Sequence, residues 1–470
     1  MIRNIFITAI ILAANLPLYS QASSFAPQIE ILKWRWGYNS AFSFTFDDGL
    51  LSQTQYAAPV LDQFGFKGTF YVLPPFLKES SPAIWRYGYW PDYQVVSWNG
   101  HEVGSHTLNH PYLTSLPAGD TLTPNTIHYE LYHSQQQINN RLNTRCVSIA
   151  YPYSDHNPLV DSLTKIYFKS GRSVGPFPNH DSSIQFYSLT SYPVTFSLPR
   201  NSTSDDLDEL NDFICWTENS ITDSSWGIIM IHEVVPFAQV PDLLNQGLYE
   251  PMSTEWLSAY CTWLEAKSNN AEVWVETAGN VIKYIKERNN TSSQIISSNE
   301  DEIKFRLIHN LEPDIYNYNL TLLAGIPDQW ESCYLNQASR YDSLVVFQSH
   351  LGNTVMVDAI PDGTEITLSR NTLTNIDEAT PENFSFKLNQ NYPNPFNPVT
   401  TITYQLYSPS NITLKIYDVL GNELKELFEG YKTSGSYEVK FDAHEFPSGI
   451  YFYRLSDGNS TKTMKMILLK

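Results

Sequence analysis

Between residues 30 and 290 the hydrophobic positions switch repeatedly between two periods. Phe42, Phe44 and Phe46 alternate with Ser43, Thr45 and Asp47, the two-residue repeat of a strand with one apolar face. An apolar helix is predicted from Tyr56 to Phe64, a strand from Gly68 to Leu73, a helix from Asp92 to Trp98 and a short strand from His101 to Ser105. Thr123-Pro124 offers an N-cap and a first-turn proline, and Ile127, Leu131, Ile138 and Leu142 line one stripe of the helix they open. Cys146–Ala150 reads as strand, Asp205–Thr217 as helix, Gly227–His232 as an apolar strand and Trp256–Ala266 as helix. Glu272–Val275 is a last strand before a helix capped by Thr277. Alternation of this kind predicts a parallel sheet with crossover helices, and the number of units points to a barrel, distorted or one strand short of eight.

Beyond Asn290 the texture changes to Asn, Ser and Thr with short alternating strands, such as Glu302–Ile308, Asn317–Leu322 and Leu344–Phe347. Residues 293–369 read as a small β-sandwich, and a polar, proline-bearing linker follows over 370–383. Strands then recur at regular spacing: Thr401–Leu406, Ile412–Tyr417, Tyr437–Phe441, Ile450–Leu455 and Lys462–Leu468. With Gly421-Asn422 and Ser448-Gly449 in the turns, residues 384–470 are expected to form a second, immunoglobulin-like sandwich.

A chain of 470 residues exceeds one ordinary domain, and its 42% hydrophobic content suffices for two or three packed cores. Lys and Arg total 29 against 49 for Asp and Glu; the net charge of −20 argues against nucleic acid as a partner and favours a neutral or cationic substrate. Aromatic residues form 14% of the chain; most belong in cores, and those left outside suit sugar rings. Arg3, the apolar run Ile5–Leu16 and small residues from Ser20 to Ser24 read as a secretory leader over residues 1–22, too short to anchor in a bilayer. No other membrane span is expected. Cys146, Cys215, Cys261 and Cys333 form no Cys-x-x-Cys pair, which disfavours thiolate metal sites, while an oxidising compartment permits a disulfide such as Cys215–Cys261.

Asp47 and Asp48 close the first strand. On a straight strand they point to opposite faces, and Gly49 supplies the bend that lets both serve one site. One carboxylate on a metal and another free beside it as a base is a hydrolytic arrangement; a plain Asp-Gly turn is the alternative. His106-Thr-Leu-Asn-His110 sets two imidazoles four apart, which one helical turn brings to one side of an ion, with Pro111 ending the turn. Thr107 stands where the zinc-protease pattern has its Glu, so the base must come from elsewhere. Asp48, His106 and His110 give one oxygen and two nitrogens, a set that suits zinc first, with cobalt, nickel or manganese able to fill it. Asp47 is then the base, and His232 the acid that protonates a leaving nitrogen; a satisfied core histidine competes with that reading of His232. Tyr151-Pro-Tyr153 is expected to form a rim loop whose Tyr153 N–H could help hold an oxyanion, a plain X-Pro turn being the alternative. Tyr151 and Arg172 are the expected substrate contacts. Asp47, Asp48, His106, Tyr151, Tyr153 and His232 each fall at or just past the C-terminal end of a predicted strand, where parallel barrels keep their chemistry, and Arg172 lies on another predicted rim.

Thr45-Phe-Asp-Asp-Gly49, His106-Thr-x-x-His110, Ala150-Tyr-Pro-Tyr153 and Ile231-His232, in this order over residues 28–290, resemble the NodB-homology polysaccharide deacetylases, carbohydrate esterase family four. The resemblance implies a distorted (β/α) barrel of about seven strands that removes acetyl groups from N-acetylglucosamine polymers or, in some members, from acetylated xylan. By it Asp47 matches the catalytic base, Asp48, His106 and His110 the metal ligands, Tyr153 the oxyanion donor and His232 the catalytic acid. Ala150 stands where many members carry an arginine that steadies the base, and Arg172 is the candidate replacement. The fourth motif, an Asp with a nearby Trp that buttresses the acidic histidine, has no convincing copy.

The segment from Phe384 resembles the sorting domain recognised by the type nine secretion system, through Asn391-Tyr-Pro-Asn-Pro-Phe-Asn-Pro398, Asp418-Val-Leu-Gly421 and Ser448-Gly-Ile-Tyr451. That likeness implies the secretion machinery as partner and a protein that is secreted, extracellular or attached to the cell surface. The middle sandwich is read as a spacer ahead of a glycan-binding module. The leading expectation is thus a secreted, metal-dependent deacetylase of an N-acetylated polysaccharide. Its rivals are an O-acetyl esterase acting on xylan or another acetylated glycan, and a non-catalytic surface module that binds glycans.

Overall fold

The computed structural model describes residues 25–470 apart from 81–85, 176–177, 194–204, 249–250, 339, 371–385, 390, 392, 395, 407–408, 418–422, 434, 448, 458–460 and 469–470. The expected leader, and all of the expected linker but its first residue, lie outside the described residues.

After a short strand β1 (Ile29–Ile31), seven parallel strands follow: β2 (Ser40–Phe46), β3 (Gly68–Val72), β4 (Glu102–Ser105), β5 (Ser148–Ala150), β6 (Ser170–Val174), β7 (Leu189–Pro193) and β8 (Trp226–Ile231). Each pairs with the next, and β8 returns to β2 with Ala41 opposite Trp226 and Phe46 opposite Ile231, which closes the barrel. A small parallel pair, β9 (Val234–Val235) and β10 (Met252–Ser253), lies just after it in sequence. An eighth parallel strand, β11 (Val273–Val275), pairs with Ser40–Phe42 at the lower part of β2, whereas β3 pairs with Phe44–Phe46 at its upper part. The two share one edge of β2, so the closed ring has seven members.

Crossover helices cover the ring: α1 (Ala58–Gln63), α2 (Trp90–Trp98), α3 (Ile127–Leu142), α4 (Pro158–Tyr167), α5 (Asp205–Thr222), α6 (Val240–Asn245), α7 (Thr254–Asn269) and α8 (Ala278–Asn290). Ile127, Leu131, Ile138 and Leu142 form the buried stripe of α3, but the cap is Thr126, whose hydroxyl accepts the Tyr129 N–H. Thr123 is used up beforehand, because the Asp120 carboxylate gathers the N–H groups of Leu122 and Thr123 into a turn. Every residue of β2 is buried. Phe42 and Phe44 meet Tyr260 of α7 edge-on, so the alternate set Ser43, Thr45 and Asp47 faces the other way, into the barrel. That orientation brings Asp47 to the inside of the ring.

The middle sandwich has a five-stranded sheet (Ser292–Ser298, Glu302–Ile308, Glu365–Ser369, Cys333–Gln337 and Arg340–Leu344) facing a four-stranded one (β1, Leu320–Gly325, Gly352–Ala359 and Val346–Ser349). β1 precedes the barrel in sequence yet pairs antiparallel with Leu320–Gly325, so the barrel is inserted into the sandwich. One continuous core runs from Trp34, Trp226, Trp274, Val281, Ile282 and Ile285 of the barrel into Ile303, Phe305, Leu322, Val355 and Leu368 of the sandwich. Arg35 adds an ion pair to Asp358 at 3.1 Å and a hydrogen bond to the Tyr318 hydroxyl at 2.8 Å. The expected spacer is therefore packed against the barrel. The C-terminal sandwich combines three strands (Phe386–Leu388, Val399–Leu406, Gly435–Asp442) with four (Glu423–Lys432, Ser410–Tyr417, Gly449–Ser456, Thr461–Leu468) around its own core. The expected Cys215–Cys261 disulfide is absent: all four cysteines are free, with Cys261 in the core and Cys215 on an exposed face of α5. Among the described residues no helix is long and apolar enough to cross a membrane.

Candidate active site

Four strands deliver a site residue at the first position beyond their last paired residue: Asp47 after β2, His106 after β4, Tyr151 after β5 and His232 after β8. At three of them the ladder runs one rung further, through Asp47 N–H to Ile231 O, His106 N–H to Val72 O and Tyr151 N–H to Arg172 O, each 2.9 Å. The backbone of the site is therefore held by the sheet itself, before any loop begins.

The turn needed to bring both carboxylates to one site starts a residue earlier than expected. Asp48 itself has φ of 75°, followed by Gly49 at 71°. A Cβ on Gly49 would also meet the Val72 backbone at 3.2 Å, so glycine answers both a left-handed conformation and a close approach. His106 and His110 converge without the expected helical turn: Thr107 and His110 are left-handed, with φ of 70° and 59°. Pro111 bars a helix at His110. The loop is instead gathered by the buried Glu130 of α3, which accepts the N–H groups of Leu108 (3.1 Å) and Asn109 (2.8 Å) and the Asn109 side chain (2.8 Å).

Asp48 Oδ1 lies 3.5 Å from both His106 Nε2 and His110 Nε2, and the two nitrogens are 3.2 Å apart. Tetrahedral bonds of roughly 2.0–2.1 Å place ligand atoms about 3.3 Å from one another, so the triad fits a zinc-sized ion. His106 Nδ1 sits 2.9 Å from the Ala150 carbonyl, which fixes the proton on Nδ1 and turns the Nε2 lone pair to the site. Burial holds His106 down to about 3 and lowers His110, so both imidazoles are neutral, as ligation requires. Burial pushes Asp48 up, and the neighbouring Asp47 charge adds to this against the opposing His232. These are three of the chain's own residues that fit a divalent ion, and no other such cluster occurs among the described residues.

Asp47 is not part of the triad. It is buried and ion-paired with Arg172, which reaches it from β6 and also donates to Ser191 Oγ at 3.2 Å. Burial, the largest single effect, raises the Asp47 carboxyl, but the Arg172 guanidinium together with His106 and His232 outweighs it and holds the group below the ordinary carboxylate value. His232 is half-buried and near enough for its charge to favour ionisation of both Asp47 and Asp48. Tyr153, left-handed at φ 57° and 57% exposed, sets its ring 4.6 Å from that of His110 and stacks on Tyr112 at 4.1 Å. Thr114 clamps the two loops together, its N–H and hydroxyl each 2.7 Å from the Asp155 carboxylate.

Two expected substrate contacts lie elsewhere. Tyr151 is 2% exposed, its ring stacked on His156 and its hydroxyl donating to the Tyr187 carbonyl, because Gly171 leaves room for the ring to lie against β6. Arg172, also 2% exposed, is sealed beneath Asp47 and serves that carboxylate rather than the open cleft. Two acidic residues were not expected at the site: Glu130, although its three-residue spacing from Ile127 puts it on the buried stripe of α3, and Glu233. The latter is buried beside His232, accepts from Ser52 and pairs with Arg86 at 3.0 Å.

Residues 39–167 match the polysaccharide deacetylase family, and residues 390–469 match the secretion system C-terminal sorting domain. The deacetylase match covers the barrel from β2 to α4. A gellan lyase from a Bacillus species is 22% identical over 341 residues, which cover 71% of this chain; the chain spans 13% of the length of that relative. Similar solved structures include a putative polysaccharide deacetylase from Mycobacterium smegmatis (14% identical, 55% of this chain and 94% of the other, TM-score 0.41). Streptococcus pyogenes deacetylase PplD in complex with acetate is 21% identical over 36% of this chain and 69% of its own (TM-score 0.29). The Bacillus anthracis family-four pseudoenzyme BA3943 is 13% identical over 52% and 65% (TM-score 0.32). The matched segment contains Asp47, Asp48, His106 and His110, and the sorting-domain match lies in the C-terminal sandwich.

Proposed function

We propose that this chain is a secreted, metal-dependent amidohydrolase that removes N-acetyl groups from an N-acetylglucosamine-containing polysaccharide. The observation that carries the reading is the division of labour at one rim: a two-histidine, one-carboxylate triad, a second carboxylate outside it, and an imidazole close to both acids. Asp48, His106 and His110 would hold the ion, which when bound supplies Lewis acidity toward the acetyl carbonyl and lowers the pKa of water. Asp47, kept ionised by Arg172, takes the proton of the attacking water. The tetrahedral intermediate carries its negative charge toward the Tyr153 N–H. His232 gives a proton to the departing nitrogen as the carbon–nitrogen bond breaks, leaving acetate and a free amine. An amine is a poor leaving group unless protonated, so an acid at this position favours amide over ester cleavage.

The tyrosine pair Tyr112 and Tyr153 offers an exposed ring face beside the triad for a sugar of the same chain. The sorting domain directs the product of this gene to the outside of the cell, where polysaccharide is encountered. The deciding experiment measures acetate released by zinc-loaded protein from chitooligosaccharides and from acetyl-xylan. Release from the former that disappears with Asp47→Asn or with a chelator supports the reading, and release from acetyl-xylan alone replaces it with an esterase.

A further inference from the structure

β2 and β8 run parallel, and their regular pairing ends at Phe46 opposite Ile231. One rung beyond, the Asp47 N–H still reaches the Ile231 carbonyl. The next two carbonyls, of Asp47 and His232, are both served by one side-chain nitrogen: Gln53 Nε2 donates to Asp47 O and, at 2.9 Å, to His232 O. The other end of the same amide is equally engaged. Gln53 Oε1 accepts the Leu50 N–H at 3.2 Å and lies 2.9 Å from the Tyr93 hydroxyl. Both amide hydrogens are used, the oxygen accepts from Leu50 and shares the Tyr93 hydroxyl with the Leu50 carbonyl at 3.1 Å, and Gln53 is fully buried. It opens a five-residue π-helical segment, Gln53–Ala57, a rare wide turn that tends to occur at functional sites.

We propose that Gln53 is a positioning residue for the hydrolysis, its amide standing in for the missing rung of the ladder and setting the gap between base and acid. The inference rests on the roles given above to Asp47 and His232. Parallel strands twist apart where their ladder stops, and two carbonyl dipoles facing one gap repel. An NH2 group between them carries one hydrogen for each and draws both to itself. The Tyr93 hydroxyl and the Leu50 N–H hold the amide in the orientation that puts nitrogen, not oxygen, on the carbonyls. A displacement of about 1 Å in a reacting group can cost on the order of a hundredfold in rate.

Two measurements test it, on zinc-loaded full-length protein. Gln53→Met, similar in length but without donors, is expected to lower kcat for chitooligosaccharide about tenfold or more, with KM and bound zinc unchanged. Unchanged kcat, or a fall matched by lost zinc, overturns the proposal. Where Gln53→Met does not fold, Tyr93→Phe decides: a several-fold loss of kcat at constant KM supports it and wild-type kcat overturns it. Independently of turnover, hydrogen exchange at the Asp47 amide is expected to quicken at least tenfold in either variant relative to the remaining β2 amides, and equal protection overturns the proposal. Failure of the unsubstituted protein to release acetate would strike the functional reading, while the exchange measurement still decides the role of Gln53.

Discussion

Arg172 crosses the interior of the barrel from β6 to pair with Asp47 at the end of β2, and both side chains are almost wholly buried. The two strands are not neighbours in the ring. The pair supplies, from a different strand, the cation that Ala150 does not. Arg172→Gln leaves a buried carboxylate without its counter-charge, a change that typically costs about 3–5 kcal/mol. With Arg172 present, Asp47 has a folded-state pKa below its unfolded value near 3.9. Its contribution to stability is complete above that value and is lost as pH falls through the folded one. Without Arg172, burial alone raises the carboxyl, so the dependence should reverse and acid should stabilise the variant relative to wild type. Melting curves at pH 7 and pH 4 check both, and acetate release should fall in parallel.

His106 predicts a second pH effect, in protein stripped of metal. Its folded pKa of about 3 lies below the unfolded value near 6.5, because burial disfavours the charged ring. Stability from keeping it neutral is therefore fully present above about 6.5 and declines as pH falls toward 3. Urea denaturation of the metal-free protein at pH 7.5 and pH 5 should show the loss, and His106→Asn should flatten that part of the profile.

Glu130 predicts a separation of metal affinity from chemistry. It touches no reacting group, yet it organises the loop that carries both histidines through three hydrogen bonds. Glu130→Ala should weaken zinc binding roughly 10–100-fold in a chelator competition. At saturating zinc, kcat should recover to within a few-fold of wild type.

Tyr112 predicts a dependence on chain length. Its ring is 56% exposed and covers Tyr153 one ring thickness away from His110. Tyr112→Ala should raise KM for a chitooligosaccharide about tenfold, in line with the roughly 1–3 kcal/mol of a lost stacking partner. Kinetics on a small acetyl ester should be unaffected, and Tyr112→Phe should behave as wild type.

The barrel and the meeting of Asp48, His106 and His110 at its rim were legible in the sequence because both are written locally. The alternation Phe42, Phe44, Phe46 and the paired aspartates that follow mark a strand and its tip, and the other strand tips repeat the pattern. What escaped was conformation decided at a distance. Val72 lies against Gly49 beside the left-handed Asp48, and Glu130 gathers the non-helical His106–His110 loop, neither of which sequence spacing reveals. Tyr151 was placed in the cleft because it sits at a strand end, but the gap left by Gly171 draws its ring inward. Arg172 shows the opposite case: its value as a replacement cation followed from an absence at Ala150, while its burial beneath Asp47 required the closed ring to be seen.

Because β1 belongs to the sandwich although the barrel follows it, the order of completion along the chain is inverted. β1, the first strand among the described residues, waits for Leu320–Gly325, synthesised some 290 residues later, before it has a partner. A cut just after α8 would therefore not release a free-standing catalyst; it would strip Trp34, Trp226 and Trp274 of their covering and expose them to water. Processing that removes only the terminal sorting segment meets no such obstacle, so the smallest portable form that keeps the barrel covered runs from β1 to Ser369.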